Sequence, residues 1–265
     1  MTSPLVDMLW VVRTPVVLLS GVLAATAAVL AGDPLPVAAL VALCLVLAGG
    51  YAAADLVDLP VDRVSAPHRP LPSGRVRPGA VAVTSSVATA LGLAAALGTG
   101  SGPLVLYLFA YAALFVVYAR WLRTRWVVKE SVTVVAFSSV VFVPVLAGGA
   151  FDRDVLVLLA QVVLFTAGRE AFMDARDARG DRAVADVTRP GPLVAATGAV
   201  AAAASVVWAA VTWLDGVAEA AAIALAGLSA LWLTRSVRGW AWGVAEALKV
   251  AALFVFATTI GVRVG

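Results

Sequence analysis

The chain has 265 residues, of which 62% are hydrophobic and 13% are charged. Soluble domains carry about 25% charged residues, and the mean hydropathy here is +1.00, so the composition excludes an ordinary soluble protein. The net charge of +3 is modest and no basic patch is interleaved with aromatic residues, so the sequence gives no support for nucleic-acid binding.

Apolar stretches close to the ~20 residues that cross a bilayer recur along the whole chain. Lipid satisfies no backbone hydrogen bonds and the stretches are too long for barrel strands, so we predict that each is a helix. A cleaved signal peptide is not expected, because the first stretch contains Arg13 and Pro15 and shows no clear cleavage site. The nine predicted spans are residues 5–31, 35–54, 79–99, 102–122, 128–150, 154–173, 192–214, 217–234 and 242–262.

No hydrophilic linker is long enough to separate soluble domains, so residues 1–265 are predicted to form one membrane-embedded domain, an all-α bundle of about nine transmembrane helices. The basic residues cluster after the even-numbered spans. The positive-inside rule therefore places these loops and the N-terminus in the cytoplasm, with a bacterial-type cytoplasmic membrane as the expected location. The cluster holds 15 of the 19 Lys and Arg residues, namely Arg63, Arg69, Arg75, Arg77, Arg120, Arg123, Arg125, Lys129, Arg169, Arg176, Arg179, Arg182, Arg189, Arg235 and Arg238.

The two longest polar insertions, residues 55–78 and 174–191, open with the same pattern, Asp-x-x-Asp-x-x-x-Asp. Offsets of 0, 3 and 7 place the three carboxylates of such an acid string on one face of a helix. A carboxylate at the centre of a membrane span costs about 2.5–3.5 kcal/mol, so two matched strings on one side of the membrane indicate a shared chemical task. The first acid string is Asp55, Asp58 and Asp62, and the second, 119 positions further on, is Asp174, Asp177 and Asp181.

Carboxylate oxygens without neighbouring His or Cys favour Mg²⁺ over zinc or copper. The lone Cys44 excludes a cysteine metal cluster, and His68, the single histidine, is interpreted as a solvated loop residue. Mg²⁺ usually keeps several waters and binds through one or two carboxylates plus substrate phosphate. The two acid strings could therefore hold a diphosphate between them, with arginines on the remaining phosphate oxygens.

Prolines are expected to shape the segment around the end of the first acid string. Pro60 should end or bend the helix within a turn, because proline lacks the N–H that the helix needs. Pro67, Pro70 and Pro72 should make the following loop extended.

Three segments of the chain resemble the signatures of the UbiA-type intramembrane prenyltransferases. Nine helices with these loops on the cytoplasmic side also fit that family, so the resemblance covers nearly the whole chain. The segments are Asp55 to Arg63 followed by His68 to Arg75, Arg169 to Arg182 with Thr188 and Pro190 beyond, and a looser element from Tyr118 to Arg123.

The resemblance implies a helical bundle around a central cavity that opens laterally to the lipid bilayer. In that cavity an isoprenyl diphosphate would be ionised with Mg²⁺, and a prenyl acceptor would capture the allylic cation, with no obligatory protein partner. Asp58, Asp177 and Asp174 would be catalytic, Asp174 as a base or cation stabiliser. The implied metal ligands are Asp55, Asp58, Asp62, Asp177 and Asp181, and the implied diphosphate-binding residues are Arg69, Arg120, Arg123 and Arg182.

The chain departs from the family pattern at Ala54, where Asn is usual, and at Lys129-Glu130-Ser131, where an Asn or Asp is common. A terpene cyclase of the same superfamily, in which the prenyl cation closes on itself, therefore stays open. A non-catalytic lipid-diphosphate binder or cation-coupled carrier is a third interpretation, although no discontinuous helices are evident in the sequence. Open too are the prenyl length and the acceptor: an aromatic acid, a quinone precursor, a phospholipid-like alcohol or a sugar phosphate.

Overall fold

The computed structural model describes residues 3–122, 126–181, 192–214 and 240–264, and they form helices joined by short turns. Two short irregular helices, a π-helix at Tyr118–Leu122 and a 3₁₀-helix at Ser139–Phe142, interrupt the α-helical series. The α-helices are α1 (Pro4–Val11), α2 (Thr14–Leu30), α3 (Val37–Ser65), α4 (Pro78–Gly98), α5 (Gly102–Val117), α6 (Trp126–Ser138), α7 (Val143–Leu146), α8 (Arg153–Asp181), α9 (Pro192–Trp213) and α10 (Trp240–Val264).

The predicted all-helical membrane architecture is confirmed. Within the described ranges, four helices are long and apolar enough to cross a bilayer, or five when the bent pair α1–α2 is counted as one span. The predicted total of nine spans is not established, because this count is four or five and the eighth predicted span, residues 217–234, lies outside the described residues. The chain is thus a multi-pass integral membrane protein.

The first predicted span is two helices rather than one. Arg13 separates them with a φ of 52°, in the left-handed region, and the two helix axes differ by 54°. Pro15 contributes to the break, because it lacks the N–H that would continue α1 into α2. One discontinuous span is therefore present, contrary to the sequence expectation.

The end of α3 and the loop after it differ in part from expectation. Helix α3 does not end at Pro60, one of the two expected outcomes, but continues to Ser65, and membrane helices tolerate such prolines when other groups satisfy the freed backbone. The following loop, residues 66–77, is a compact series of turns rather than an extended chain. The Ser73 amide donates to the Arg69 carbonyl at 3.0 Å, and the Val76 amide donates to the Pro70 carbonyl at 3.1 Å.

Each helix that carries an acid string packs most extensively on the helix that follows it in the chain, α3 on α4 and α8 on α9. Glycines permit the close approach. A Cβ atom at Gly49 would lie 2.8 Å from the Ser85 carbonyl oxygen, and one at Gly168 would lie 2.7 Å from the Ala202 amide nitrogen. Both glycines stand six residues before the first Asp of their string. The repeat therefore includes helix packing as well as acid spacing.

Candidate metal and diphosphate site

The first acid string lies on the C-terminal part of α3, and two of its carboxylates form ion pairs with arginines from other segments. Asp55 accepts a hydrogen bond from Arg13 Nη2 at 3.0 Å, and Asp62 accepts one from Arg69 Nη1 at 2.9 Å. Both carboxylate side chains are only 13% exposed, so they depend on these partners for charge compensation.

Arg13 is the residue of this site that the sequence reasoning missed. Its guanidinium carbon lies 5.1 Å from the centre of the Tyr51 ring, within the range of a cation–π contact. It also interacts electrostatically with Asp58, the middle acid of the string. The sequence did contain a sign of this pairing. An arginine inside an apolar span requires a counter-charge, and the first acid string could supply it.

Tyr51 of α3 lies within electrostatic range of the second acid-bearing helix. It interacts electrostatically with Arg169 and Glu170 of α8 as well as with Arg13. Tyr51 precedes Asp55 by four residues, and Glu170 precedes Asp174 by four residues, which is about one helical turn in each case. Each acid string therefore begins about one turn beyond a residue that lies within electrostatic range of its counterpart on the other helix.

The α8 side of this shared position carries its own ion pair. Arg169 donates a hydrogen bond to the carboxylate of the adjacent Glu170. The Arg169 Nε atom is buried and has no hydrogen-bond partner among the described residues. A buried guanidinium N–H in that situation is available for an anionic ligand.

The remaining predicted residues divide into two groups. Arg120 lies exposed in the π-helix, with its guanidinium carbon 6.0 Å from the Trp121 ring centre, and within the described part of the chain it forms no ion pair with the first string. The others have no described side chain: Arg123 and Arg182 lie outside the described residues, and the acids of the second string are described as helical backbone only. Those acids are Asp174, Asp177 and Asp181, all within α8.

The donors of the first string suit a hard cation, because they are carboxylate oxygens without sulfur or imidazole. They do not form a complete site by themselves. Among the side chains that the structure describes, no three His, Cys, Asp or Glu residues converge as metal ligands. A metal at this end would therefore need a carboxylate from outside the first string, or a phosphate oxygen, to complete its coordination.

The opposite end of the bundle offers a different kind of space. A cavity of about 440 Å³ lies between the α4–α5 turn and the end of α7. Its lining contains hydroxyl and apolar groups but no charged side chain, so it lacks the ligands for a metal–diphosphate complex. The lining residues are Thr99, Gly100, Ser101, Pro103, Val145, Leu146, Ala147 and Gly148.

These features define a multi-pass helical membrane protein whose acidic helices are matched in spacing and packing. The profile of the UbiA prenyltransferase family matches residues 15–259, and the chain belongs to that family. The family resemblance expected from the sequence is thereby confirmed.

Two curated relatives are digeranylgeranylglyceryl phosphate synthases. The Sulfolobus acidocaldarius protein is 31% identical over 147 residues, which cover 54% of this chain and 52% of the relative. The Halobacterium salinarum protein is 35% identical over 155 residues, which cover 58% of this chain and 55% of the relative. The chain thus spans about half the length of the curated relatives it matches.

Solved structures of similar fold cover nearly the whole chain. An apo UbiA homolog from Aeropyrum pernix K1 aligns with a TM-score of 0.67 and 21% identity, covering 94% of this chain and 98% of that one. A UbiA homolog from Archaeoglobus fulgidus, bound to GPP and Mg²⁺, aligns with a TM-score of 0.61 and 17% identity, covering 96% and 99%. At these identities the likeness establishes the fold.

Proposed function

We propose that this protein transfers a prenyl group from an isoprenyl diphosphate to an acceptor, with Mg²⁺ assisting ionisation of the diphosphate inside the membrane. The observation that carries the proposal is the pair of matched acid strings, which begin about one turn beyond Tyr51 and Glu170, two residues within electrostatic range of each other. Family membership supports the same reaction class.

In this proposal five of the six acids would hold Mg²⁺, and Asp55 would do so while paired with Arg13. Bound Mg²⁺ would neutralise the charge that develops on the departing diphosphate. Arg69 would bind a phosphate oxygen from the loop side, and Arg120, Arg123 and Arg182 are the other proposed diphosphate contacts. The ligands proposed for Mg²⁺ are Asp55, Asp58, Asp62, Asp177 and Asp181.

The reaction breaks the allylic C–O bond, and the bonding electron pair leaves with the diphosphate. A nucleophilic atom of the acceptor then forms a bond to the allylic carbon and releases a proton. Asp174 would accept that proton or stabilise the cation. The apolar helices would exclude water, which would otherwise quench the carbocation.

Among the acceptors that the sequence leaves open, the names of the curated relatives favour an isoprenoid glyceryl phosphate, which is a phospholipid-like alcohol. Incubation of the purified protein with isoprenyl diphosphates of several lengths, with and without this acceptor, tests the assignment. A cyclic hydrocarbon formed without acceptor would instead identify a terpene cyclase. Binding without any chemistry over long incubation would identify a non-catalytic binder.

We further propose that residues 1–265 act as one membrane domain in a cytoplasmic membrane of the bacterial type, with the N-terminus and both acid strings on the cytoplasmic side. The support is the concentration of basic residues after the even-numbered spans. Labelling of single cysteines introduced at exposed Arg77 and at exposed Asp152, each in a Cys44→Ser background, tests this orientation. Labelling of position 77 from the outside of intact cells would contradict it.

The decisive enzymatic test is Mg²⁺-dependent release of diphosphate. We expect release from an isoprenyl diphosphate in the presence of Mg²⁺ and none after chelation, and a loss of about 100-fold or more in Asp58→Ala and in Asp177→Ala. Asp152→Asn is the matched control. Asp152 accepts a hydrogen bond from the Val155 amide at 3.0 Å at the start of α8, far from the site, and Asn preserves that cap. Full turnover in both Ala variants would overturn the metal assignment.

A further inference from the structure

We infer that Asp7 is a positioning residue for the diphosphate site, because it anchors the loop of residues 66–77 that carries Arg69. The inference rests on the proposed function in assigning Arg69 to the diphosphate. No part of the family resemblance includes Asp7, which lies in α1 ahead of the break at Arg13.

Asp7 is a buried carboxylate that forms an ion pair with an arginine of the loop. It is 3% exposed, and Arg75 Nε lies 3.3 Å from one of its carboxylate oxygens and 3.2 Å from the other. The two residues are 68 positions apart in sequence. Because a buried carboxylate is strongly destabilising without a counter-charge, the pair fixes the loop against α1.

Apolar contacts reinforce this attachment. Leu71 and Val76, from the loop, are buried in one cluster with Val11 of α1, Ala52 of α3 and Val81 of α4. The loop is thus held between α1 and the α3–α4 hairpin. The two buried side chains of the loop lie on either side of Arg75 in the chain.

A short hydrogen-bonded path leads from this anchor to the acid string. The Val76 amide donates to the Pro70 carbonyl, and the Ser73 amide donates to the Arg69 carbonyl at 3.0 Å. The side chain of Arg69 then donates to Asp62 at 2.9 Å. An ion pair whose arginine is 45% exposed is weak by itself, so the position of Arg69 depends on its backbone being fixed by the loop.

The test compares four full-length forms in lipid nanodiscs: wild type, Asp7→Asn, Arg77→Gln, and the exchanged pair Asp7→Arg with Arg75→Asp. We expect Asp7→Asn to raise the KM for the isoprenyl diphosphate about tenfold with kcat within about twofold, as loss of an outer support typically does. The exchanged pair should recover most of this loss. Arg77 is exposed and two residues beyond Arg75, so Arg77→Gln should match wild type.

A second readout does not require turnover. Amide hydrogen exchange of residues 66–77 should accelerate in Asp7→Asn and return towards the wild-type rate in the exchanged pair, with exchange in α9 unchanged. An Asp7→Asn protein with wild-type KM and wild-type loop exchange would overturn the inference and leave the proposed function intact. If Asp7→Asn does not fold, the variant with Asp7→Arg and Arg75→Asp decides. Rapid amide hydrogen exchange of the loop in a folded form of that variant would contradict the inference. Absence of diphosphate release in wild type would count against the proposed function, while the exchange data would still test the anchor.

Discussion

The α3–α4 and α8–α9 hairpins pack in the same way but differ in their charged neighbours. Each hairpin has a glycine six residues before an acid string, and at that glycine the following helix approaches closely. In the first hairpin the approach is also marked by a hydrogen bond, because Ser85 donates to the Gly49 carbonyl at 2.8 Å.

The difference lies one turn before the acids. Helix α8 carries Arg169 and Glu170 there, whereas the equivalent positions of α3 are Gly50 and Tyr51. The first hairpin obtains its cation from outside, as Arg13 from the α1–α2 break reaches Asp55. Helix packing is thus repeated within the chain, while the charged residues beside each acid string come from different places.

Substitution of the two glycines should have the largest effect on stability. Gly49→Ala and Gly168→Ala each introduce a Cβ against backbone atoms of the facing helix, and overpacking of this kind costs about 1–3 kcal/mol. Thermal unfolding in detergent should show a similar fall in Tm for both variants. In Gly79→Ala the added Cβ meets nothing within 4 Å, so its Tm should not fall. A fall in Tm in only one of the two glycine variants would show that the two hairpins do not pack equivalently.

Removal of Arg13, the cation that pairs with Asp55, should have an intermediate effect on stability. Arg13→Gln leaves Asp55 without its ion-pair partner and should lower the free energy of unfolding by about 1.5 kcal/mol, at the low end for a charged hydrogen bond because Arg13 is 40% exposed. Chemical denaturation monitored by tryptophan fluorescence measures the change. Asp55→Asn combined with Arg13→Gln should recover part of the loss. If the double variant loses more unfolding free energy than the two single variants lose together, Arg13 does not act through Asp55.

Removal of Arg69, the loop arginine that pairs with Asp62, should have the smallest effect on stability. Arg69 is 45% exposed, and an exposed ion pair contributes about 0.5 kcal/mol, so Arg69→Gln should leave Tm nearly unchanged. Its effect should appear instead as a raised KM for the isoprenyl diphosphate. A large drop in Tm with an unchanged KM would assign Arg69 a structural role in place of diphosphate binding.

The helical membrane fold and the family could be predicted because hydrophobic length and acid spacing are local properties of the sequence. The Arg13–Asp55 and Asp7–Arg75 pairs could not, since they join residues 42 and 68 positions apart and depend on the bend between α1 and α2. The extended loop expected from its prolines was wrong for a related reason. Packing of Leu71 and Val76 against α1 favours a turn-rich loop over the extended chain that proline alone suggests.

A double-mutant cycle tests the claim that both acid strings serve one metal–diphosphate complex. Asp58→Asn, Asp177→Asn and the double variant are compared with wild type by kcat/KM for Mg²⁺-dependent diphosphate release. We predict that each single substitution costs on the order of 100-fold or more and that the double costs little beyond the worse single, because residues that act as a unit are non-additive. Losses that multiply in the double variant, or full activity in either single variant, would contradict the claim.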